Sequence, residues 1–247
     1  MSVNDTLGVN STAQVPTQKR TAEGGIGSDL LDAALLYVEE RHWDVIPGTW
    51  LEYPEDRLGG GVEHCSCGAP DCQAPGAHPA RRDWKAAATA SPTTVRRMWG
   101  KTPRASVMLP TGRQFDVVDV PETAGCLALA RLERTDVPLG PIAATPDRRM
   151  LFFVLPGAEA KADGLLRQLG YTPSGIDLAI RGDGSWIPAP PTRVGTRGCV
   201  QWARKPTVTN AWFPDLDDLI SSLAYACGRE RGRGTGGLGG YREGVAA

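Results

Sequence analysis

The stretch "HCSCGAPDCQAPGAHP", residues 64–79, constrains the fold of this chain more than any other. It holds three of the six cysteines and two of the three histidines. Cys65, Cys67, Cys72 and His78 give the spacing C-x-C-x4-C-x5-H. Zinc takes four sulfur or nitrogen ligands in a tetrahedron, and three thiolates with one imidazole complete that shell. A closed shell leaves no position for water, so the expected ion is a structural zinc. Gly68, Pro70, Pro75 and Gly76 supply the turns that let a short loop wrap an ion. His64 competes for the fourth position, but its place directly beside Cys65 would strain the cage, which favours His78. The plainer alternative is a chance cluster of free thiols. Residues 56–82 are rich in Gly, Pro and Cys and lack a hydrophobic period, so they cannot fold around a core of their own. A loop that long needs a tie. Metal binding would order the zinc loop, at about 58–82, because ligation and local folding are one event.

A chain of 247 residues buries one full core with at most a small satellite. Its net charge of −1 gives no global drive toward nucleic acid or membrane, so any polyanion site depends on local clustering of Arg and Lys. The apolar runs are strand-sized and exclude a membrane span. The polar first residues carry no targeting core, which makes a cytoplasmic location the expectation. In a reducing compartment clustered cysteines are more often metal ligands than disulfides. Cys126, Cys199 and Cys227 are scattered and are expected to be small core hydrophobes.

Periodicity and punctuation divide the chain into a disordered leader (1–27), one domain (28–227) and a disordered Gly/Arg-rich tail (228–247). Helices are expected over 29–42, after the cap Ser91 with Pro92 in the first turn, over "ETAGCLALARLER", over "AEAKADGLLRQLG" up to Gly170, and from Pro214 onward. Two strand-like runs, "ASVML" and "FDVVDV", are joined by a turn at "PTGRQ". "PIAAT" and "RMLFFVL" read as a hairpin across Pro146–Arg148, and "IDLAIR" and "SWIPA" as a second hairpin across Gly182–Gly184. "CVQWA" is the last strand. The count predicts an α+β fold, with a mixed, largely antiparallel sheet flanked by helices.

Residues 79–104 hold seven basic side chains, Arg81, Arg82, Lys85, Arg96, Arg97, Lys101 and Arg104, against the single acid Asp83. Trp84 and Trp99 are interleaved. Such a patch suits a nucleic-acid backbone with an aromatic to stack on a base. Its alternative is a solvated helix face with core tryptophans. Trp99, in register with Val95, belongs to the core, whereas Trp84 stays open.

Taken in order, the cysteine loop, "RRDWKAAATASPTTVRRMWGKTPRASVMLPTG", the aspartate-bearing strand and "GIDLAIRGDGSWIPAPPT" resemble the N-terminal bifunctional DNA primase/polymerase domain. That family belongs to the archaeo-eukaryotic primase superfamily, and the similarity spans roughly residues 29–205. The resemblance implies a primase/polymerase-like core in which carboxylates converge on Mg²⁺ or Mn²⁺ and align a primer hydroxyl with a nucleotide. It places the first acid at Asp119 and the third at Asp177, as both catalytic and metal-binding residues. The second acid falls on Pro121, which has no ligand atom, and the motif histidine on Met150, which cannot hold phosphate. Asp116 faces the other side of the strand, and Glu122 is one residue late. Arg149, beside Met150, is the remaining candidate for the nucleotide, with Arg81, Arg82, Lys85, Arg96 and Arg97 for nucleotide or DNA. Two readings follow: a replicative nucleotidyltransferase acting on template and nucleotides, or a catalytically inactive module that binds nucleic acid or a protein. No helicase motor motif is present, so unwinding would fall to a helicase or another replication partner.

Overall fold

The computed structural model describes residues 26–53, 63–135, 137–207 and 212–235. The expected leader up to residue 25 and the tail from residue 236 lie outside them. The chain runs α1 (Ile26–Arg41), β1 (Ile46–Pro47), β2 (Leu51–Glu52), β3 (His64–Cys65), α2 (Trp84–Ala87) and α3 (Pro92–Lys101). There follow β4 (Val107–Pro110), β5 (Asp116–Pro121), α4 (Glu122–Leu132), β6 (Ile142–Thr145), β7 (Arg149–Val154) and α5 (Ala158–Gln168). The last elements are β8 (Ala179–Arg181), β9 (Trp186–Pro188), β10 (Arg193–Val194), β11 (Gly198–Cys199), β12 (Gln201–Arg204) and α6 (Leu216–Thr235). All pairings among them are antiparallel. The expected α+β class with antiparallel sheets and flanking helices is what forms.

A five-stranded sheet in the order β12-β6-β7-β5-β8 divides the core. Side chains alternate across a strand. Val118, Val120, Met150 and Phe152 therefore pack on α4, α5 and α6, while Val117, Leu151 and Phe153 face α1, α3 and a second sheet, β1-β4-β9. An aromatic cluster fills that second side, with Trp43 stacked 5.5 Å from Phe153 and Phe115 4.7 Å from it. Trp99 is 1% exposed and donates its indole N–H to the Ala105 carbonyl at 2.9 Å, as its register with Val95 demands.

One expected pairing does not form. β8 and β9 make no hairpin: β8 pairs with β5, and β9 with β4. The runs β4–β5 and β8–β9 instead lie antiparallel as one long ribbon that passes from the small sheet into the large one. Both chains break at the same level. Thr111 donates its hydroxyl to the Gly182 carbonyl at 2.7 Å and its N–H to Ser185 at 3.1 Å. Gly112 sits at φ +97°, where a Cβ would lie 2.3 Å from Asp183 Cα, so only glycine permits the two breaks to touch. The hairpin between β6 and β7 across Pro146–Arg148 does form.

Two further expectations need correction. Cys227 is buried, but Cys126 and Cys199 are exposed and serve no core. α6 continues past Cys227 to Thr235, and residues 228–230 of that continuation have partners. Arg229 lies over the Tyr225 ring at 5.8 Å, Gly228 packs on Tyr171, and Glu230 accepts a hydrogen bond from Thr123 of α4. Among the described residues no helix is long and apolar enough to cross a membrane.

Asp116 explains how α5 is positioned. Buried on the α5 side of the sheet, its Oδ2 accepts the N–H groups of Gly157 at 3.0 Å and Ala158 at 2.8 Å, the donors that the helix start leaves unpaired. Asp116→Ala is expected to lower stability by about 2 kcal/mol, since two donors lose a charged acceptor. Urea denaturation should show a lower midpoint at unchanged slope.

Candidate functional site

Strand pairing starts the cysteine cage. β2 and β3 set Leu51 opposite Cys65 and Glu52 opposite His64. Alternation then turns Cys65 inward and His64 outward, where its Nε2 lies 3.6 Å from Glu52 Oε2. Gly68 at φ +74° and Gly76 at φ +73° make the turns that bring the chain back. The donor atoms of Cys65, Cys67, Cys72 and His78 all lie within 4.8 Å of one another. His78 Nε2 is 3.4 Å from Cys65 Sγ, while Nδ1 is 3.0 Å from the Pro79 carbonyl. A proton held on Nδ1 by that carbonyl leaves the Nε2 lone pair directed at the sulfurs. Burial opposes ionisation of Cys65, but the Gly76 N–H at 3.3 Å and neighbouring donors bring its thiol down to about 6. Burial and the adjacent sulfurs push Cys72 up to about 11. One thiolate thus forms readily and makes the next one harder, an imbalance that a cation at the centre relieves. The group can hold a metal ion. Thr49 N–H to the His78 carbonyl at 2.7 Å and Ala80 N–H to Pro47 at 3.2 Å stitch the loop to β1.

The two retained acids meet in a different way. Asp119 and Arg149 share one face of the sheet, because Asp119 pairs with Leu151 and Arg149 is two residues from it. Arg149 Nε donates to Asp119 Oδ1 at 2.7 Å, and its Nη1 donates to Asp177 Oδ2 at 2.7 Å. Arg181 donates through Nε and Nη2 to Asp119 Oδ2 at 3.1 and 2.8 Å. Burial works against the charge on Arg149, but Asp177 and Asp119 outweigh it and hold the guanidinium charged well beyond its ordinary range. The Asp119 side chain is 6% exposed, that of Asp177 64%. A cleft of about 510 Å³ opens beside Asp177, with Pro121, Ile176, Cys227 and Glu230 on its wall.

These residues do not fit a pair of divalent cations. Both Asp119 oxygens already accept guanidinium N–H groups, Pro121 supplies no ligand, and the two aspartates with two arginines carry no net charge. Among the described residues Asp119 and Asp177 join no group of three potential metal ligands. Glu122 does not complete the set: it starts α4 and lies 3.5 Å from Arg148. Met150 is buried on the opposite side of the sheet against Gly125 and Cys126.

The basic residues divide by partner. Arg81 holds Asp83 in a two-pronged pair at 2.8 and 2.6 Å, Arg96 meets Glu39 at 2.7 Å, and Lys85 lies 3.6 Å from Asp183. Arg104 donates to the Leu51 carbonyl. The side chains of Arg82, Arg97 and Lys101 make no ion pair or hydrogen bond among the described residues. Arg181 escaped the sequence reading. Its signal is a period-two placement with Ala179, which sits opposite Asp119, and that is visible only once β8 is paired with β5.

The family model of the N-terminal domain of bifunctional DNA primase/polymerases matches residues 34–216. That is most of the chain, and the chain belongs to this family. No curated protein matches it.

Arg149→Ala is expected to lower stability by about 2 kcal/mol, below the full figure for breaking a buried pair because Arg181 still faces Asp119. Thermal melting would check this, with Arg149→Lys recovering part of the loss. For the cage, His78→Ala and Cys72→Ser are expected to abolish metal retention through a desalting column, read by elemental analysis. The loop over 63–80 should then become sensitive to protease.

Proposed function

We propose that this primase/polymerase domain acts as a binding module for nucleic acid and nucleotides in a replication setting, and not as a polymerase. The observation that carries the reading is the Asp119 carboxylate, whose two oxygens are held by Arg149 and Arg181. Template-directed nucleotidyl transfer relies on two cations that clamp the attacking and leaving oxygens, and a carboxylate cluster supplies the charge that gathers them. Here guanidinium groups neutralise that charge. They also tie β5, β7, β8 and the Asp177 segment together, which gives both acids a structural role. A scaffold can outlive its chemistry while its surface keeps a ligand.

The cage belongs to the same reading. Three sulfurs and one imidazole are the donor set of structural zinc, which would hold the loop over 63–80 against β1. Zinc supplies order to the loop and no catalytic step.

Primer extension with Mg²⁺ and with Mn²⁺ tests the proposal. The expected result is no template-directed product, while a labelled single-stranded oligonucleotide still shifts in a gel. Metal-dependent extension that disappears in Asp177→Ala would overturn it.

A further inference from the structure

The cleft between α2 and α3 lies apart from the aspartates and takes no part in the neutralised cluster. It measures about 430 Å³, within the range of small-ligand sites, and its walls include Trp84, Arg81, Arg97, Lys101, Met98 and Ile46. No carboxylate lines it. Arg97 and Lys101, four residues apart on α3, share a helix face, turned away from the buried Val95 and Trp99. Neither has an ion-pair partner among the described residues, whereas Arg81 is already steadied by Asp83. Trp84 opens α2 and is half-buried, and its indole N–H has no partner among the described residues. Trp99, on the neighbouring helix, is fully buried with its N–H satisfied. Trp50 also lines the cleft, but its indole N–H is held by Glu52 at 2.9 Å, so Trp84 is the lining tryptophan whose ring carries no such tether.

We infer that this cleft takes an unpaired base of a single strand of nucleic acid, stacked on Trp84, with the flanking phosphates on Arg97 and Lys101. The inference rests on the binding-module reading and gives it a location. The chemistry favours a single strand over a duplex. A base must leave its stack to reach an indole set in a cleft, and the π-face of any base serves, so binding is tolerant of sequence. The net charge of the chain is −1, so attraction to a polyanion comes from a local patch, and the two unpaired cations at this cleft provide one. α2 also touches the ribbon break through Lys85 and Asp183, 3.6 Å apart.

The test uses the full chain and fluorescence anisotropy with fluorescein-labelled oligothymidylate and oligouridylate. Binding of at least one is expected, with Trp84→Ala weakening it by about tenfold and Trp84→Phe by much less. The double variant Arg97→Gln/Lys101→Gln should make the plot of log affinity against log salt shallower by about 1.4. Circular dichroism and melting of each variant separate lost binding from lost folding. Unlabelled duplex of the same length should compete poorly. Wild-type affinity and salt slope in the folded Trp84→Ala and double variants, or equal competition by duplex, would overturn the location while leaving the module reading in place. Failure of the wild-type chain to bind either oligomer would overturn both.

Discussion

A carboxylate inside a sheet stays ionised only if counter-charge reaches it, because an unpaired buried charge costs several kcal/mol. Asp119, 4% exposed, is reached from both neighbouring strands, by Arg149 of β7 and Arg181 of β8. Arg149 extends to Asp177 and to the backbone carbonyl of Asp119 at 3.2 Å, so one guanidinium fastens two strands and a loop. Remove that contact and the Asp177 segment loses its tie to β7, while β8 stays paired with β5. The same contact occupies the oxygens that a metal-dependent member of the family would offer to cations. Sheet cohesion and metal binding thus draw on one carboxylate, whose two oxygens accept guanidinium N–H groups.

The ribbon carries this arrangement. β5 and β8 bring Asp119 and Arg181 to one face, and their continuations β4 and β9 build the small sheet against α1 and α3. The two breaks at 111–115 and 182–185 hold each other by the Thr111 bonds. Lys85 lies 3.6 Å from Asp183 in the second break, and Trp84 beside it in sequence lines the cleft. The cysteine cage, stitched to β1 by Thr49 and Ala80, borders the same layer. A loop without a hydrophobic period can support neighbouring elements only if its ligand atoms are drawn together, and the four donors are.

Much of the candidate site was legible from local rules. Three sulfurs and an imidazole at short spacing, with glycines and prolines between them, specify a cage without reference to the rest of the chain, and strand alternation, which turns His64 away from Cys65, accounts for His78 over His64. Helix starts at Ser91–Pro92 and the closure of α5 at Gly170 also follow from neighbours in sequence; the Ser91 hydroxyl accepts the Thr94 N–H at 3.4 Å. Cys126 and Cys199 were less legible, because apolar character alone does not say which face of an element a small residue occupies.

What the chain determined by itself is therefore what periodicity and ligand chemistry encode: the α+β class, most helices, the β6–β7 hairpin and the gathering of the sulfurs. What only the tertiary structure decided is the fate of Asp119. Its partners come from residues 30 and 62 positions away, and each reaches it through strand register. Between β8 and β9 the local turn chemistry of Gly182–Gly184 suggests a hairpin. Both strands pair instead with β4 and β5, over three residue pairs each. Register is a property of paired strands, and no single strand carries it.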